Sequence, residues 1–235
     1  MKNKLFAFIL LILYLVFIHA QLFSQVLTER FDWNTLHWPT QDDEYAKIEF
    51  KDGFYTIEHK IDESGYTIYL PIEIDYYRDL TIETVIEHIS GRDDAGYGLL
   101  WDMVDRNNYY AFDISANGYY RIAKCINNVW TDLTPWTQCD HIKTGNLFNT
   151  LLIRKHGNEY YFVINNKIID MHELELLGGE EVGFSVYLKQ KVSIDKLDIL
   201  YVDPDWIIES LEKFKELNKP NATEDFLNAL EELGF

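Results

Sequence analysis

The chain is poor in cysteine and in basic side chains, and each shortage closes off a class of function. Two cysteines in 235 residues allow at most one disulfide, and neither has His or Cys partners at zinc spacing. With 21 Lys and Arg against 39 Asp and Glu, a formal charge of −18, the chain repels nucleic acid and anionic lipid surfaces. The seven His are scattered, and no Ser-His-Asp order, phosphate loop, dinucleotide fingerprint or EF-hand spacing is present. A helical period of useful length is missing before Asp203.

The apolar run from Leu5 to Ile18 follows Lys2 and Lys4 and falls short of the ~20 residues of a membrane span. It reads as a secretory signal peptide over residues 1–25, cleaved after Ala20, Ser24 or Gln25. The alternative is an uncleaved N-terminal anchor; either way the folded part is expected outside the cytoplasm, secreted or periplasmic. No Cys stands near the cleavage region, so there is no lipoprotein attachment site. Removing Lys2 and Lys4 and no acid takes the formal charge from −18 to −20.

What is abundant is aromatic: 15% of the residues, 16 of them Tyr, a side chain that buries a ring while keeping its hydroxyl wet. From Ala46 to Val202, short stretches of period-two alternation recur between turns such as Asp52-Gly53, Asn117-Gly118, Asn127-Asn128 and Asn165-Asn166. About a dozen strands with hairpin turns predict a two-sheet antiparallel β-sandwich or jelly roll. The densest part is Gly91–Trp136, an antiparallel meander in which Tyr109, Ala111 and Asp113 share one face and Tyr110, Phe112 and Ile114 share the other, the core.

That segment, with Gly96-Tyr97-Gly98-Leu99-Leu100, Asn108-Tyr109-Tyr110-Ala111-Phe112-Asp113-Ile114-Ser115 and Gly118-Tyr119-Tyr120-Arg121, resembles the bacterial secreted branch of the concanavalin A-like lectin/glucanase superfamily, laminin-G-like jelly rolls. Glu29-Arg30-Phe31-Asp32 resembles the family's opening strand, and Val192-Ser193-Ile194-Asp195-Lys196-Leu197 its closing one. The resemblance covers roughly residues 27–202, within a sandwich domain of 26–203. It implies architecture more than activity, since this sandwich carries lectins, glucanases and inert spacers.

After Asp203 the grammar changes. Asp205 caps a helix with Ile207, Ile208, Leu211, Phe214 and Leu217 on one face, and Thr223 opens a second with Phe226, Leu227, Leu230 and Leu233. A helical hairpin is therefore predicted over 204–235, packed on the sandwich or itself, or docking a protein partner.

Three constellations could carry chemistry. Glu83 and Glu87 point to one face of a strand, superficially like the paired carboxylates of retaining glucanases, but Val85 stands between them where that pattern has Asp. An extended i, i+4 separation is about 13 Å, against the roughly 5.5 Å such a pair needs. Trp101, Tyr109, Tyr119, Arg121, Trp130 and Trp136, with Asp102 and Asp113 as acceptors, form a candidate glycan platform, because sugar rings stack on aromatics while polar groups fix their hydroxyls; the bland alternative is that they fill the space between two sheets. No cofactor is required, though by resemblance a structural Ca²⁺ would implicate Asp32 and Asp195. Cys125 and Cys139 can bridge, stapling the Trp136 loop to the sheet, or stay as two thiols. The expectation is a non-catalytic module that binds a glycan or a cell-envelope partner, with a glycoside hydrolase or a purely structural domain as alternatives.

Overall fold

Fifteen strands and no helix make up the part of the chain that the computed structural model describes, residues 23–202. In chain order they are β1 (Phe23–Glu29), β2 (Gln41–Asp42), β3 (Ala46–Lys51), β4 (Phe54–His59), β5 (Gly65–Leu70), β6 (Leu80–Gly91), β7 (Gly96–Asp105), β8 (Asn108–Ser115), β9 (Tyr119–Ile126), β10 (Val129–Gln138), β11 (Phe148–His156), β12 (Glu159–Ile164), β13 (Lys167–Glu173), β14 (Glu181–Tyr187) and β15 (Gln190–Val202). Gln25–Leu200 form one compact unit. The signal peptide and the helical hairpin predicted from the sequence lie outside the described residues, the last few residues of the former's span apart.

Two antiparallel sheets face one another. The larger runs β13-β12-β11-β6-β15-β4-β3-β2 with β1 also on β15, and the smaller runs β10-β9-β8-β7-β14-β5. The chain changes sheet at every step from β4 to β7 and again between β13, β14 and β15, so neighbours in space are often distant in sequence. Turns follow the predicted chemistry: Asn127 (φ 51°) and Asn128 (φ 61°), and Asn165 (φ 48°) and Asn166 (φ 65°), put two successive residues in the left-handed region, as tight hairpins of right-twisted strands require. The opening differs from the expected strand over Glu29–Asp32. β1 ends at Glu29, whose carboxylate accepts the backbone N–H of Arg30 and Phe31, and Phe31 turns the chain with φ 57°.

Between the sheets the inward faces fill with rings. Trp101 stacks on Tyr110 at 5.3 Å and meets Phe162 of the opposite sheet at 5.7 Å, where Phe112 packs edge-on at 5.2 Å. A second group gathers Phe31, Trp38, Tyr55 and Phe184, with Phe31 and Tyr55 stacked at 5.4 Å. Each fully buried side chain of this size contributes about 1.5–3 kcal/mol. Strands from both sheets are thereby held in register, which leaves the outward face of the smaller sheet free to carry a site.

Candidate functional site

Cross-strand pairing places that face row by row. Thr67 pairs Ser185, Ser185 pairs Gly98, Gly98 pairs Asp113 and Asp113 pairs Arg121, one row across five strands. The next row reads Tyr69, Gly183, Leu100, Ala111, Ala123 and Asp132. Directly opposed residues share a face, so the middle of this sheet carries mostly small residues, with Leu100 and Asp113 among them, all buried beneath the rings of its flanks. A side chain at Gly98 would strike the Phe112 carbonyl oxygen at 2.0 Å, and one at Gly183 the Ile68 carbonyl oxygen at 2.1 Å. These two positions admit no side chain because neighbouring backbone lies in the way.

Rings build the walls. Trp130 packs edge-on against Tyr109 at 5.6 Å and against Tyr187 at 6.1 Å, and the Arg121 guanidinium lies 4.8 Å above its ring. Trp136 extends the band: a Cβ added at Gly96 would lie 2.9 Å from the Trp136 ring and 3.1 Å from that of Tyr187. Trp130, Tyr109, Tyr187 and Arg121, together with Ser64, Tyr66, Thr67, Tyr69, Arg106, Asn107 and Asn128, line an open trough of about 860 Å³, within the range of small-molecule and cofactor sites. Tyr109 lines the trough and packs with Leu100, Met103, Ala111 and Cys125.

Beneath the trough lies an acid. Asp113 is 0% exposed, accepts a hydrogen bond from Ser185 Oγ at 2.6 Å across Gly98, and leaves Oδ2 without a hydrogen-bond partner among the described residues. Burial pushes its carboxyl up to about 6, against the opposing pull of the Ser185 bond and of Arg121. Burial likewise raises the Tyr187 and Tyr109 hydroxyls above their ordinary 10, so both remain protonated donors. Arg121 holds Asp132 Oδ1 through Nε at 2.7 Å and a terminal nitrogen at 2.5 Å.

Of the residues singled out in the sequence, Tyr109, Asp113, Arg121, Trp130 and Trp136 come together on this face. Tyr119, exposed at the far end of β9, and Trp136 lie outside the trough lining. Trp101 and Asp102 are not on the platform. Trp101 is 0% exposed and belongs to the core. Asp102 sits in a β-bulge with φ 48°, which turns its carboxylate to accept the N–H groups of Leu177 at 2.7 Å and Gly179 at 2.9 Å. Its role is to pin the β13–β14 loop to β7. Sequence reasoning missed Tyr69, Tyr187, Thr67 and Arg106, because period-two alternation shows each strand's faces but not that β14 and β5 lie beside β7.

Of the two alternatives left open for the cysteines, the structure shows the thiols: both are free and buried. The N–H of Cys139 bonds the Gly118 carbonyl oxygen, before the start of β9, whereas Cys125 pairs Trp130 near its end. From Gly118 to Cys125 an extended strand covers about 23 Å, far beyond the ~4.4–6.8 Å between Cα atoms that a disulfide spans. Asp32 is exposed just after the Phe31 turn and Asp195 is half-buried on β15. Among the described residues no group of three or more His, Cys, Asp or Glu could hold a metal ion. Glu83 and Glu87 lie on β6 of the other sheet, where pairing with β11 runs unbroken from Leu80 to Glu87, keeping the extended spacing. Glu83 is ion-paired with Lys196.

No family model and no curated protein matches the sequence. Solved structures do. The chain is similar to a protein of unknown function with a galectin-like fold from Bacillus subtilis, at 12% identity over 77% of this chain and 98% of that one with a TM-score of 0.54. It is similar to the CBM2 module of the evolved Dit of Lactobacillus casei BL23 phage J-1, at 7% identity over 77% and 96% with a TM-score of 0.52. It also matches a xylan beta-1,4-xylosidase from Bacillus halodurans C-125, at 13% identity over 73% of this chain with a TM-score of 0.52, spanning only 38% of that enzyme's length. At these identities the likeness establishes the architecture, and the described chain is a two-sheet β-sandwich of the kind these proteins contain.

Proposed function

We propose that the chain is an exported, non-catalytic module that binds a glycan in the trough of its smaller sheet. The observation that carries this reading is an open trough lined by the rings Tyr66, Tyr69, Tyr109, Trp130 and Tyr187 with hydrogen-bonding side chains set among them. A sugar ring has an apolar face that packs on an aromatic ring and an equatorial rim of hydroxyls that seek hydrogen bonds. Trp130 is half-buried and Trp136 is 40% exposed, so both can cover a ring without being freed from the core. Asn107, Asn128, Thr67 and Arg121 stand at the trough to bond the rim. A galectin-like fold and a xylosidase among the similar sandwiches support sugar as the ligand class.

The placement of the carboxylates supports binding without turnover. The trough lining holds no Asp or Glu, Asp113 is sealed beneath it and Asp132 is tied to Arg121, while Glu83 and Glu87 keep the wide spacing on the other sheet. Export rests on Lys2, Lys4 and the apolar run to Ile18. The test is a glycan array probed with the protein, followed by titration of Trp130→Ala. The variant is expected to lose about 1–3 kcal/mol of binding with an unshifted melt. Binding that survives intact would remove the trough from the reading, and reducing ends released from a glycan by the wild type but not by Glu83→Gln would replace it with a hydrolase.

A further inference from the structure

The trough has a charge character that the rest of the chain does not share. In a protein with 39 acidic and 21 basic side chains, its lining holds two arginines, Arg106 and Arg121, and no carboxylate. A neutral sugar hydroxyl both donates and accepts, and it is fixed best where acceptors and donors are mixed; a guanidinium supplies only donors, five in a planar fork that matches a carboxylate or sulfate. A donor-rich lining of this kind is complementary to a ligand rich in strong acceptors.

The two arginines differ in what they have free. Arg121 spends Nε and one terminal nitrogen on Asp132, which neutralises that pair and sets its plane over Trp130. Arg106 lies in the β7–β8 turn, exposed at the trough, and enters no ion pair among the described residues. The carboxylate beside it in sequence, Asp105, is committed to its own turn, accepting the Asn107 N–H at 2.7 Å and the Asn108 side-chain amide at 2.9 Å. Arg106 is therefore the arginine of the site whose fork no carboxylate occupies among the described residues. The overall negative charge of the protein opposes a polyanion only weakly at this range, because physiological salt screens exposed charges beyond about 8 Å.

We infer that the trough selects an anionic glycan, with a sugar carboxylate or sulfate held by Arg106 while a ring of the chain stacks on Trp130. The inference rests on the glycan reading above and adds the ligand's charge. It is tested on the full chain with polygalacturonate, its methyl ester, dextran sulfate and dextran, each at low and high salt, beside an array of neutral and anionic glycans. Polygalacturonate is expected to bind about tenfold or more tighter than its methyl ester, the worth of one charge-assisted hydrogen-bonded pair. Arg106→Gln should erase that preference and its salt dependence, whereas Lys47→Gln, an equal charge change on the opposite sheet, should leave both in place. Preference for dextran sulfate over dextran, with polygalacturonate and its ester bound alike, would assign the anion as sulfate. Equal affinity for charged and neutral members throughout overturns the inference and leaves glycan binding standing; no binding to any member overturns both.

Discussion

Replacing Asp113 by Asn should change how the stability of the sandwich depends on pH, and the size of the change can be worked from the site. Asn keeps the shape of the side chain, and its Oδ1 can still accept the Ser185 hydroxyl at the 2.6 Å now seen; it cannot ionise. In the wild type, burial lifts the Asp113 carboxyl from 3.8 to about 6. Between those values the folded protein retains a proton that the unfolded chain has released. Stability is then fully present below pH 3.8 and is lost as the pH rises through 6, after which the loss is constant. At ~1.4 kcal/mol for each tenfold change in the proton equilibrium, the full effect is about 3 kcal/mol, of which roughly 2–3 kcal/mol falls between pH 4 and pH 7. The Asn amide nitrogen would occupy the place of Oδ2, which has no hydrogen-bond partner among the described residues, adding a cost of about 1–3 kcal/mol that does not vary with pH. Urea denaturation of both proteins across this range separates the two terms. The difference in unfolding free energy, variant minus wild type, should rise by about 2–3 kcal/mol from pH 4 to pH 7, equivalent to roughly 5–10 °C in melting temperature for a unit of this size. Parallel curves would refute the reasoning and mean that Asp113 ionises in the folded protein as it does in the unfolded chain.

Gly98→Ala should be costly despite its small size, because the added methyl meets backbone oxygen at 2.0 Å rather than a movable side chain; a loss of more than about 2 kcal/mol is expected, and an unchanged melt would contradict the close approach of β7 and β8. Asp102→Asn should loosen the β13–β14 loop by removing the charged acceptor of the Leu177 and Gly179 N–H groups, costing about 1–3 kcal/mol and exposing the loop to limited proteolysis; unaltered cleavage kinetics would assign the loop's order to other contacts. Thiol titration of the denatured, unreduced protein should find both Cys125 and Cys139 reactive, as free and distant residues must be, and a blocked pair would contradict their placement at opposite ends of β9.

How much of this was legible in the sequence depends on the range of the information. Alternation within β8 announced that Tyr110, Phe112 and Ile114 face the core and Tyr109 and Asp113 face away, because the pleat fixes that parity locally. Asn-Asn and Asp-Gly pairs announced the hairpins, since few residues tolerate the left-handed region. Asp102 was misplaced because the register shift between Trp101 and Asp105 is not visible in the sequence and its carboxylate serves a loop 75 residues away, whereas Trp101 keeps the unbroken alternation that pairs it with Tyr110 in the core. The cysteine pair looked close in number and is far apart in space, because β9 runs extended between the two positions. The trough itself required the tertiary structure. Ser185 reaches Asp113 across 72 residues of chain, and Tyr187 meets Trp130 only because β14 inserts beside β7. The sequence by itself determined strands, faces and turns, which are decided by neighbours along the chain; which strands lie side by side, and hence which rings share a wall with Arg106, was decided by the packing of two sheets around a common core.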